Sequence, residues 1–173
     1  MERSRRLIAD LADYLRGSFR FSNAERRIAF EEEFNLIQTY IHIERARFKD
    51  RIRFEVNIAT DAFDQRIPPL LLQPLVENAI RHGIGDRIEG GTVSLTVSKS
   101  NGQWLFVVAD DGVGIEPQRL QELLEESAAS KSQGVGLLNI NKRLKYEYGI
   151  ALQLESEVDH GTKVTVRIPC DSN

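Results

Sequence analysis

The chain has 173 residues, of which 41% are hydrophobic and 28% are charged. This is enough apolar material for one ordinary core with appended helices, and it excludes a disordered chain and a large multidomain enzyme. The 23 Lys and Arg against 26 Asp and Glu give a formal charge of −3, which argues against nucleic acid as a partner held by bulk electrostatics. The single cysteine, Cys170, excludes an intrachain disulfide and a cysteine-rich zinc site. No stretch approaches the roughly 20 apolar residues needed to cross a bilayer, so this chain is predicted not to span a membrane.

Two amphipathic helices are predicted within the first 50 residues. Their apolar residues recur at helical spacing: Leu7, Leu11, Tyr14 and Leu15 in the first helix, then Phe30, Phe34, Ile37 and Ile41 in the second. The small and polar residues 17–23 are predicted to separate the two helices. Because two helices cannot bury both stripes alone, they are expected to pack on each other, on a partner chain or on sequence outside this chain.

A second unit begins at Arg51, where the apolar period changes to two. Residues 52–58 alternate as in a half-buried strand. A helix follows over residues 72–82, with Pro74 in its first turn, where a missing N–H does no harm. Two strands, 92–99 and 103–110, are joined by a predicted Asn101-Gly102 hairpin turn.

The rest of the chain is predicted to hold two helices and two strands. A short helix covers residues 117–125, and the polar residues 127–132 form a loop. A helix with Leu137, Ile140, Leu144 and Tyr148 on one face then ends at Gly149. Strands around residues 152–154 and 164–168 close the chain. This order predicts an α+β two-layer sandwich, with a mixed, mostly antiparallel sheet covered on one face by helices and preceded by the N-terminal helices.

Three glycine-bearing stretches, at residues 110–114, 134–137 and 160–162, stand where the periodicity breaks. Each alone marks only a turn. The second one opens a helix directly after the polar loop, so its backbone N–H groups would face an anion such as phosphate.

On the predicted helix 72–82, Asn78, Arg81 and His82 share a face at i, i+3 and i+4. They could hold a hydrated Mg²⁺ ion and phosphate oxygens, because Mg²⁺ keeps several waters and takes few protein oxygens. The alternative is an ordinary surface, in which Glu77 and Arg81 form an i, i+4 ion pair and His82 is solvated or packed.

In this order and at these separations, the motifs resemble those of the ATP-binding domain shared by gyrase, MutL and histidine kinases. Asn78 with Arg81-His82 resembles the N box, residues 110–114 the G1 box, residues 134–137 the G2 box, and Gly161-Thr162 the terminal Gly-Thr. More narrowly, residues 40–48 and 67–83 are similar to the LytS-type class of bacterial sensor histidine kinases. The resemblance covers nearly the whole chain and implies a Bergerat-type ATP-binding fold.

The resemblance also implies a role for each matched position. Asn78 would coordinate Mg²⁺, and it would act in catalysis together with Arg81, which would approach the phosphates. His82 would lie at the ribose or phosphate region. Asp110 would accept a hydrogen bond from the adenine amino group, a contact that GTP, with a carbonyl at that position, could not make. The other residues implied to bind ATP are Gly112, Gly114, Gly134, Gly136, Leu137 and Thr162, and residues 127–133 would be the ATP lid.

Several positions depart from the family pattern. No Asn-Pro-His-Phe-like motif occurs in the sequence, so the phospho-accepting histidine is expected outside this chain, and His42 is not nominated. Hydrolytic relatives carry a glutamate base at the position of Pro74, and Glu77 points about 100° around the helix from Asn78. Asp111 and Asp159 stand where the family has Asn and Gly, and both add negative charge near the site.

The resemblance implies that residues 1–48 supply part of the dimerisation and linker helices and that residues 49–173 form the ATP-binding catalytic domain of a two-component sensor histidine kinase. The full protein would be a membrane-anchored homodimer whose cytoplasmic portion autophosphorylates a histidine and passes the phosphoryl group to a response regulator. This chain alone is expected to bind Mg·ATP as a monomer or weak dimer, without labelling itself.

Two alternatives keep the same fold. The first is a non-catalytic nucleotide-sensing or partner-binding module, with the N-terminal helices as its working surface. The second is a kinase that phosphorylates serine on an anti-sigma partner, which residues 40–44 disfavour because their signature goes with the sensor class.

Overall fold

The computed structural model describes residues 2–23, 26–48, 51–85, 87–124 and 135–170. Within these ranges the helices are α1 (Glu2–Ser22), α2 (Phe30–Arg47), α3 (Gln73–Asn78), α4 (Pro117–Leu124) and α5 (Val135–Tyr148). The strands are β1 (Ile28–Ala29), β2 (Ile52–Ile58), β3 (Arg66–Ile67), β4 (Gly91–Ser100), β5 (Gln103–Asp110), β6 (Gln153–Glu157) and β7 (Gly161–Pro169). A 3₁₀ turn spans Thr60–Ala62, and a π-helical turn over Ala79–Ile84 continues α3.

The main sheet has five strands in the order β2-β4-β5-β7-β6, while β1 and β3 form a separate two-stranded ladder. Strand β2 pairs parallel to β4, and the other neighbours in the main sheet pair antiparallel. The β4–β5 turn has positive φ at Asn101 (51°) and Gly102 (73°), the conformation of a two-residue hairpin. The predicted mixed, mostly antiparallel sheet and its hairpin are therefore confirmed.

Alternation along the central strands directs one side of the sheet into the core. The fully or nearly buried side chains on that side are Val93, Leu95, Val97, Trp104, Phe106, Val108, Val164, Val166 and Ile168. Helices cover this face through Leu75 and Ile80 of the α3 region and Leu144 of α5. Burial of each such side chain contributes roughly 1.5–3 kcal/mol, so this interface holds the two layers together.

Helix α2 belongs to the same hydrophobic core as the sheet. The ring of Phe30 meets Phe106 of β5 edge to face at 5.4 Å and stacks on Phe63 at 5.6 Å. The predicted apolar stripe of α2, residues 30, 34, 37 and 41, is at most 8% exposed. This helix therefore lies directly against the unit that carries the sheet.

The predicted interruption at residues 17–23 is wrong, because α1 continues through Gly17 to Ser22. A Cβ atom at position 17 would lie 2.7 Å from Cδ1 of Leu36 in α2. The glycine thus permits a close approach of the two helices, and helix packing overrides its low helix propensity.

Helices α1 and α2 pack on each other, the first of the expected arrangements. The rings of Tyr14 and Tyr40 are 5.6 Å apart, and Asp10 Oδ2 lies 2.7 Å from His42 Nδ1. The opposite side of α1 carries exposed apolar residues, which are Ile8, Leu11, Leu15 and Phe19. No helix within the described ranges is both long and apolar enough to cross a membrane.

Candidate functional site

A cavity of about 330 Å³ opens between α3 with its π-helical turn, the end of β5, the segment 113–116, and helices α4 and α5. This volume is within the usual range of small-molecule sites. Its apolar lining includes Leu75, Val108, Leu123, Leu137 and Val164, and its polar lining includes Asn78, His82, Asp110, Glu116, Arg119 and Thr162. An apolar cleft with a few convergent polar groups is the usual composition of a binding site for a flat, partly polar ligand.

Asn78 and His82 reach the cavity from the end of α3 and from the π-helical turn that follows. Pro74 lies in the first turn of α3, as predicted. A π-helical turn forms i→i+5 hydrogen bonds and occurs often at functional sites. Here it keeps Asn78 and His82, which are four positions apart, on one face of the helix.

Among the described residues that line the cavity, Arg81 is absent. Its charge instead acts on Tyr40 and Glu44 of α2. Burial raises the pKa values of these two side chains, and the positive charge of Arg81 lowers them. The structure thus differs from the shared face expected for Asn78, Arg81 and His82. The reason is the π-helical turn, which has more residues per turn than an α-helix. Arg81, three residues after Asn78, is therefore rotated away from the face that Asn78 and His82 share.

Asp110 ends β5 at the cavity, and its carboxylate is mostly buried. Burial raises the pKa of Asp110 to about 6, against the lowering effect of hydrogen bonds from the backbone N–H groups of Gly112 and Thr162. The Gly112 N–H lies 2.9 Å from Asp110 Oδ1. At neutral pH this side chain is a partly buried, oriented hydrogen-bond acceptor.

The turn after Asp110 stacks directly on the π-helical turn. Val113 N–H donates to the Gly83 carbonyl at 2.9 Å, and a Cβ atom at Gly112 would overlap that carbonyl oxygen. Gly114 lines the cavity and has a φ of 68°, which favours glycine. Gly112 therefore serves the approach of two backbone segments rather than lining the cavity itself.

Thr162 faces the cavity from the start of β7, opposite Asp110 in the β5–β7 register. Its Oγ1 lies 2.8 Å from Oγ of Ser156 in β6. Ser156 donates to the Gly161 carbonyl at 2.9 Å and accepts from the Ile115 N–H at 2.9 Å. Since Ser156 uses its one proton on Gly161, Thr162 donates to Ser156 and keeps its lone pairs as acceptors.

Asp111 and Asp159 do not line the cavity, although the sequence placed both near the site. Asp111 Oδ1 accepts from the Thr92 N–H at 2.7 Å, and its carbonyl accepts from the Arg87 guanidinium. Asp159 has a φ of 63°, the left-handed conformation in which glycine is usual. Both carboxylates act on Arg87, whose pKa rises chiefly through its hydrogen bond to Glu89.

The G2-like stretch is described from residue 135 onward. Leu137 lines the cavity, and a Cβ atom at Gly136 would lie 3.6 Å from Asn78 Nδ2. Gly134 and the predicted loop and lid, residues 127–133, lie outside the described residues. The beginning of α5 is thus adjacent to Asn78.

Glu77 lies outside the described lining of the cavity. Its Oε1 accepts hydrogen bonds from Tyr14 of α1 and, at 2.8 Å, from Gln73 Nε2. Through these hydrogen bonds Glu77 links α3 to α1. This agrees with the prediction that its side chain points about 100° around the helix from Asn78.

Three polar residues at or behind the cavity were not nominated from the sequence: Glu116, Arg119 and Ser156. Arg119 brings a cation to the cavity from α4, where it is paired with Glu122 at 2.9 Å. An arginine in a short polar helix, or a serine between two glutamates of a strand, has the pattern of an ordinary surface position. Only the pairing of β6 with β7 and the packing of α4 against β6 bring these residues to the site.

The residues present fit Mg²⁺ bound together with a phosphate ligand. Within the described ranges, no group of three or more His, Cys, Asp or Glu side chains could hold a metal ion by itself. Asn78 offers an amide oxygen at the cavity beside the beginning of α5. Mg²⁺ usually combines few protein oxygens with substrate phosphates and water, and this donor set suits it.

Comparison with known proteins gives two family matches. Residues 64–172 match the family described as histidine kinase-, DNA gyrase B- and HSP90-like ATPase, and residues 1–52 match the family described as histidine kinase.

The protein YwpD of Bacillus subtilis (strain 168) is 38% identical over 97% of this chain and 59% of its own length. Sensor protein LytS of Bacillus anthracis is 36% identical over 98% of this chain and 29% of its own length. The chain therefore spans only part of these relatives. The resemblance to LytS-type proteins is confirmed.

One similar solved structure is the histidine kinase domain from Erythrobacter litoralis EL346 blue-light activated histidine kinase. It has a TM-score of 0.61 at 20% identity, over 96% of this chain and 74% of that chain. This likeness shows a shared fold and confirms the predicted fold class.

Proposed function

Because the chain belongs to the histidine kinase-, DNA gyrase B- and HSP90-like ATPase family, we propose that its cavity binds Mg·ATP and that it is the ATP-binding catalytic region of a two-component sensor histidine kinase. The observation that carries the proposal is Asp110, a partly buried acceptor at a cavity whose wall also includes the apolar side chains of Leu75, Val108 and Val164. Adenine is flat and apolar on its faces and has an amino group that would satisfy this carboxylate. GTP has a carbonyl there, which would leave the buried acceptor unpaired.

The proposed roles follow the positions around the cavity. Asp110 accepts from the adenine amino group, and Thr162 hydrogen-bonds beside it. Asn78 holds Mg²⁺ and His82 contacts the ribose or phosphate region. Gly114, Gly134, Gly136 and Leu137 complete the nucleotide contacts, and Gly112 allows the turn that carries Gly114 to approach the π-helical turn. The location of Asn78, His82 and Leu137 on one cavity supports this assignment.

Arg81 is proposed to act on the phosphates and, with Asn78, in catalysis. Its exposed side chain on the turn that carries His82 supports this role. Mg²⁺, when bound, supplies charge neutralisation at the phosphate oxygens. The chain's own residues bind and orient the nucleotide, because phosphoryl transfer depends mainly on positioning and electrostatic stabilisation.

For the full protein we propose a homodimeric, membrane-anchored sensor. Its cytoplasmic portion would autophosphorylate a histidine outside this chain and transfer the phosphoryl group to a response regulator. Relatives named as sensor proteins support this proposal. The exposed apolar stripe on α1, with Ile8 and Phe19 each 68% exposed, supports a helical dimer contact. On this proposal, residues 1–48 are dimerisation and linker helices and residues 49–173 are the catalytic domain.

The test is thermal unfolding with Mg·ATP and with Mg·GTP, for the wild type and for Asp110→Asn. Ligand at 100 times its Kd adds about 2.7 kcal/mol, which raises the midpoint by several degrees. We expect a shift with ATP only, and its loss in Asp110→Asn. Asp111→Asn is the matched control, because that carboxylate bonds to the Thr92 N–H away from the cavity. Equal shifts with ATP and GTP, or an unchanged ATP shift in Asp110→Asn, would contradict the proposed pocket.

A second candidate is a non-catalytic nucleotide-sensing or partner-binding module. The observation that favours it is that Arg81 does not line the described cavity, while its charge acts on Tyr40 and Glu44 of α2. A longer chain that includes the histidine proposed to accept the phosphoryl group separates the candidates. Histidine phosphate formed from ATP supports the kinase, and tight ATP binding without any histidine phosphate supports the module.

A further inference from the structure

Residues 70–73, the segment that leads into α3, are held from two sides by charged side chains. Glu33 of α2 accepts at Oε1 from the backbone N–H groups of Leu72 (2.6 Å) and Gln73 (2.9 Å). Arg143 of α5 donates from Nη2 to the Leu70 carbonyl at 3.2 Å. The segment thus joins a helix of the N-terminal part to the helix that borders the cavity.

Glu33 has no solvent exposure, and a buried carboxylate is costly unless it is well bonded. Leu72, at the N-cap of α3, makes no side-chain cap hydrogen bond, so Glu33 from another helix takes that place. No described residue donates to Glu33 Oε2 or accepts from Arg143 Nε. Buried polar atoms without partners are costly, and apolar side chains at positions 33 and 143 would have avoided that cost.

The segment between these two side chains has a strained backbone. Leu70 has a φ of 54°, a left-handed conformation that is uncommon for residues other than glycine. Such a conformation persists only where the surroundings hold it. The hydrogen bonds of Arg143 to Leu70 itself and of Glu33 to residues 72 and 73 hold the chain as it enters α3.

Asn78, at the end of α3, is five residues from Gln73. At about 1.5 Å per residue, the two ends are only about 7.5 Å apart along the axis. A displacement of residues 72 and 73 therefore reaches Asn78 through little more than one turn of helix.

We infer that Glu33 is a positioning residue for the nucleotide site, acting through residues 70–73 and α3 on Asn78, with Arg143 as its counterpart on α5. The inference rests on the proposed function, because it takes Mg·ATP as the ligand of the cavity. As a consequence, a change in the position of α2 alters the placement of Asn78 even though no atom of α2 lines the described cavity.

The first test compares Mg·ATP affinity, by calorimetry, with stability in urea. Glu33→Met removes the acceptor at similar volume, and we expect at least a tenfold loss of affinity. Glu33→Gln keeps an amide oxygen for the two N–H groups, and we expect affinity within threefold of wild type. The control is Asn141→Leu, which removes another buried acceptor, bonded at 3.1 Å to the Leu152 N–H away from the cavity.

Asn141→Leu is expected to lose stability but to bind Mg·ATP within threefold of wild type. The inference is overturned if folded Glu33→Met binds as tightly as wild type, or if Asn141→Leu loses as much affinity, since affinity would then follow overall stability. If Glu33→Met does not fold, Arg143→Met replaces it. This variant releases Leu70 from the other side, and the same tenfold loss is expected.

The second test uses NMR of the nucleotide-free protein, so that it does not depend on the ligand. In Glu33→Met, or in Arg143→Met, we expect faster amide exchange at residues 72 and 73 and a shift of the Asn78 side-chain amide resonances. Asn141→Leu should leave the Asn78 resonances unchanged. Unshifted Asn78 resonances in Glu33→Met would overturn the inference. If wild type binds no nucleotide, the proposed function fails, and this test still decides the role of Glu33.

Discussion

The hydroxyl of Tyr14 in α1 donates a hydrogen bond to the carboxylate of Glu77 in α3, the residue immediately before Asn78. Gln73 Nε2 donates to both groups. Burial and the adjacent Glu77 carboxylate raise the pKa of Tyr14, so its proton stays in place at neutral pH. The first helix of the chain is thereby tied to the short helix that ends at the cavity.

Tyr14→Phe should lower the free energy of unfolding by about 1–2 kcal/mol, because it leaves the partly buried Glu77 carboxylate with one donor fewer. Tyr40→Phe is the matched control: its ring packs 5.6 Å from that of Tyr14, and its buried hydroxyl has no hydrogen-bond partner among the described residues. Removal of this hydroxyl should be neutral or stabilising. Urea unfolding measures both, and equal losses would contradict the role of the Tyr14 hydrogen bond.

Glu33 should make the protein less stable as pH rises from 5 to 8. Burial raises its pKa to about 7, above the value of an unfolded chain, so over this range the folded state binds the proton more tightly. Within the described part of the chain, the charge that acts on this carboxyl group is that of Arg143, which opposes the rise of its pKa. In Glu33→Gln the fall in unfolding free energy between pH 5 and 8 should be smaller by at least about 1 kcal/mol. An identical pH profile in the variant would contradict the raised pKa.

Ligand affinity should depend on the ionisation of Asp110. Its pKa of about 6 means that acid converts the proposed acceptor into a neutral carboxyl group. Binding of adenosine, which does not titrate in this range, should weaken about tenfold from pH 8 to pH 5. NMR titration with adenosine at each pH measures the Kd. Asp159→Asn is the control, because it removes a nearby exposed carboxylate and should keep the same pH dependence.

Gly112→Ala should destabilise the fold by about 1–3 kcal/mol, because its Cβ atom would overlap the Gly83 backbone and force two segments apart. Gly136→Ala is the stability control. A Cβ atom there meets only Asn78 Nδ2 at 3.6 Å, and alanine favours the helix. Thermal unfolding should show a lower midpoint for the first variant and an equal or higher one for the second. Equal midpoints would mean that the turn can move aside.

Local sequence patterns predicted most of the elements correctly. The alternation of residues 52–58, the Asn101-Gly102 turn and Pro74 in the first turn of α3 each depend on neighbouring residues. The interruption at residues 17–23 was wrong, because the helical state of Gly17 depends on Leu36, which is distant in sequence. Local preference is a weak influence beside close packing of two helices.

What the sequence by itself determined is the set of motifs: Asn78, Asp110, Leu137 and Thr162 were named from spacing and resemblance, and all four line the cavity. Only the tertiary structure decided that the charge of Arg81 acts on Glu44, that Ser156 supports Thr162, and that Glu33 holds the beginning of α3. The physical reason is the range of the interactions. Periodicity and turn chemistry act between residues a few positions apart, whereas burial of a carboxylate and hydrogen bonds across 39 residues exist only once the helices and the sheet have packed.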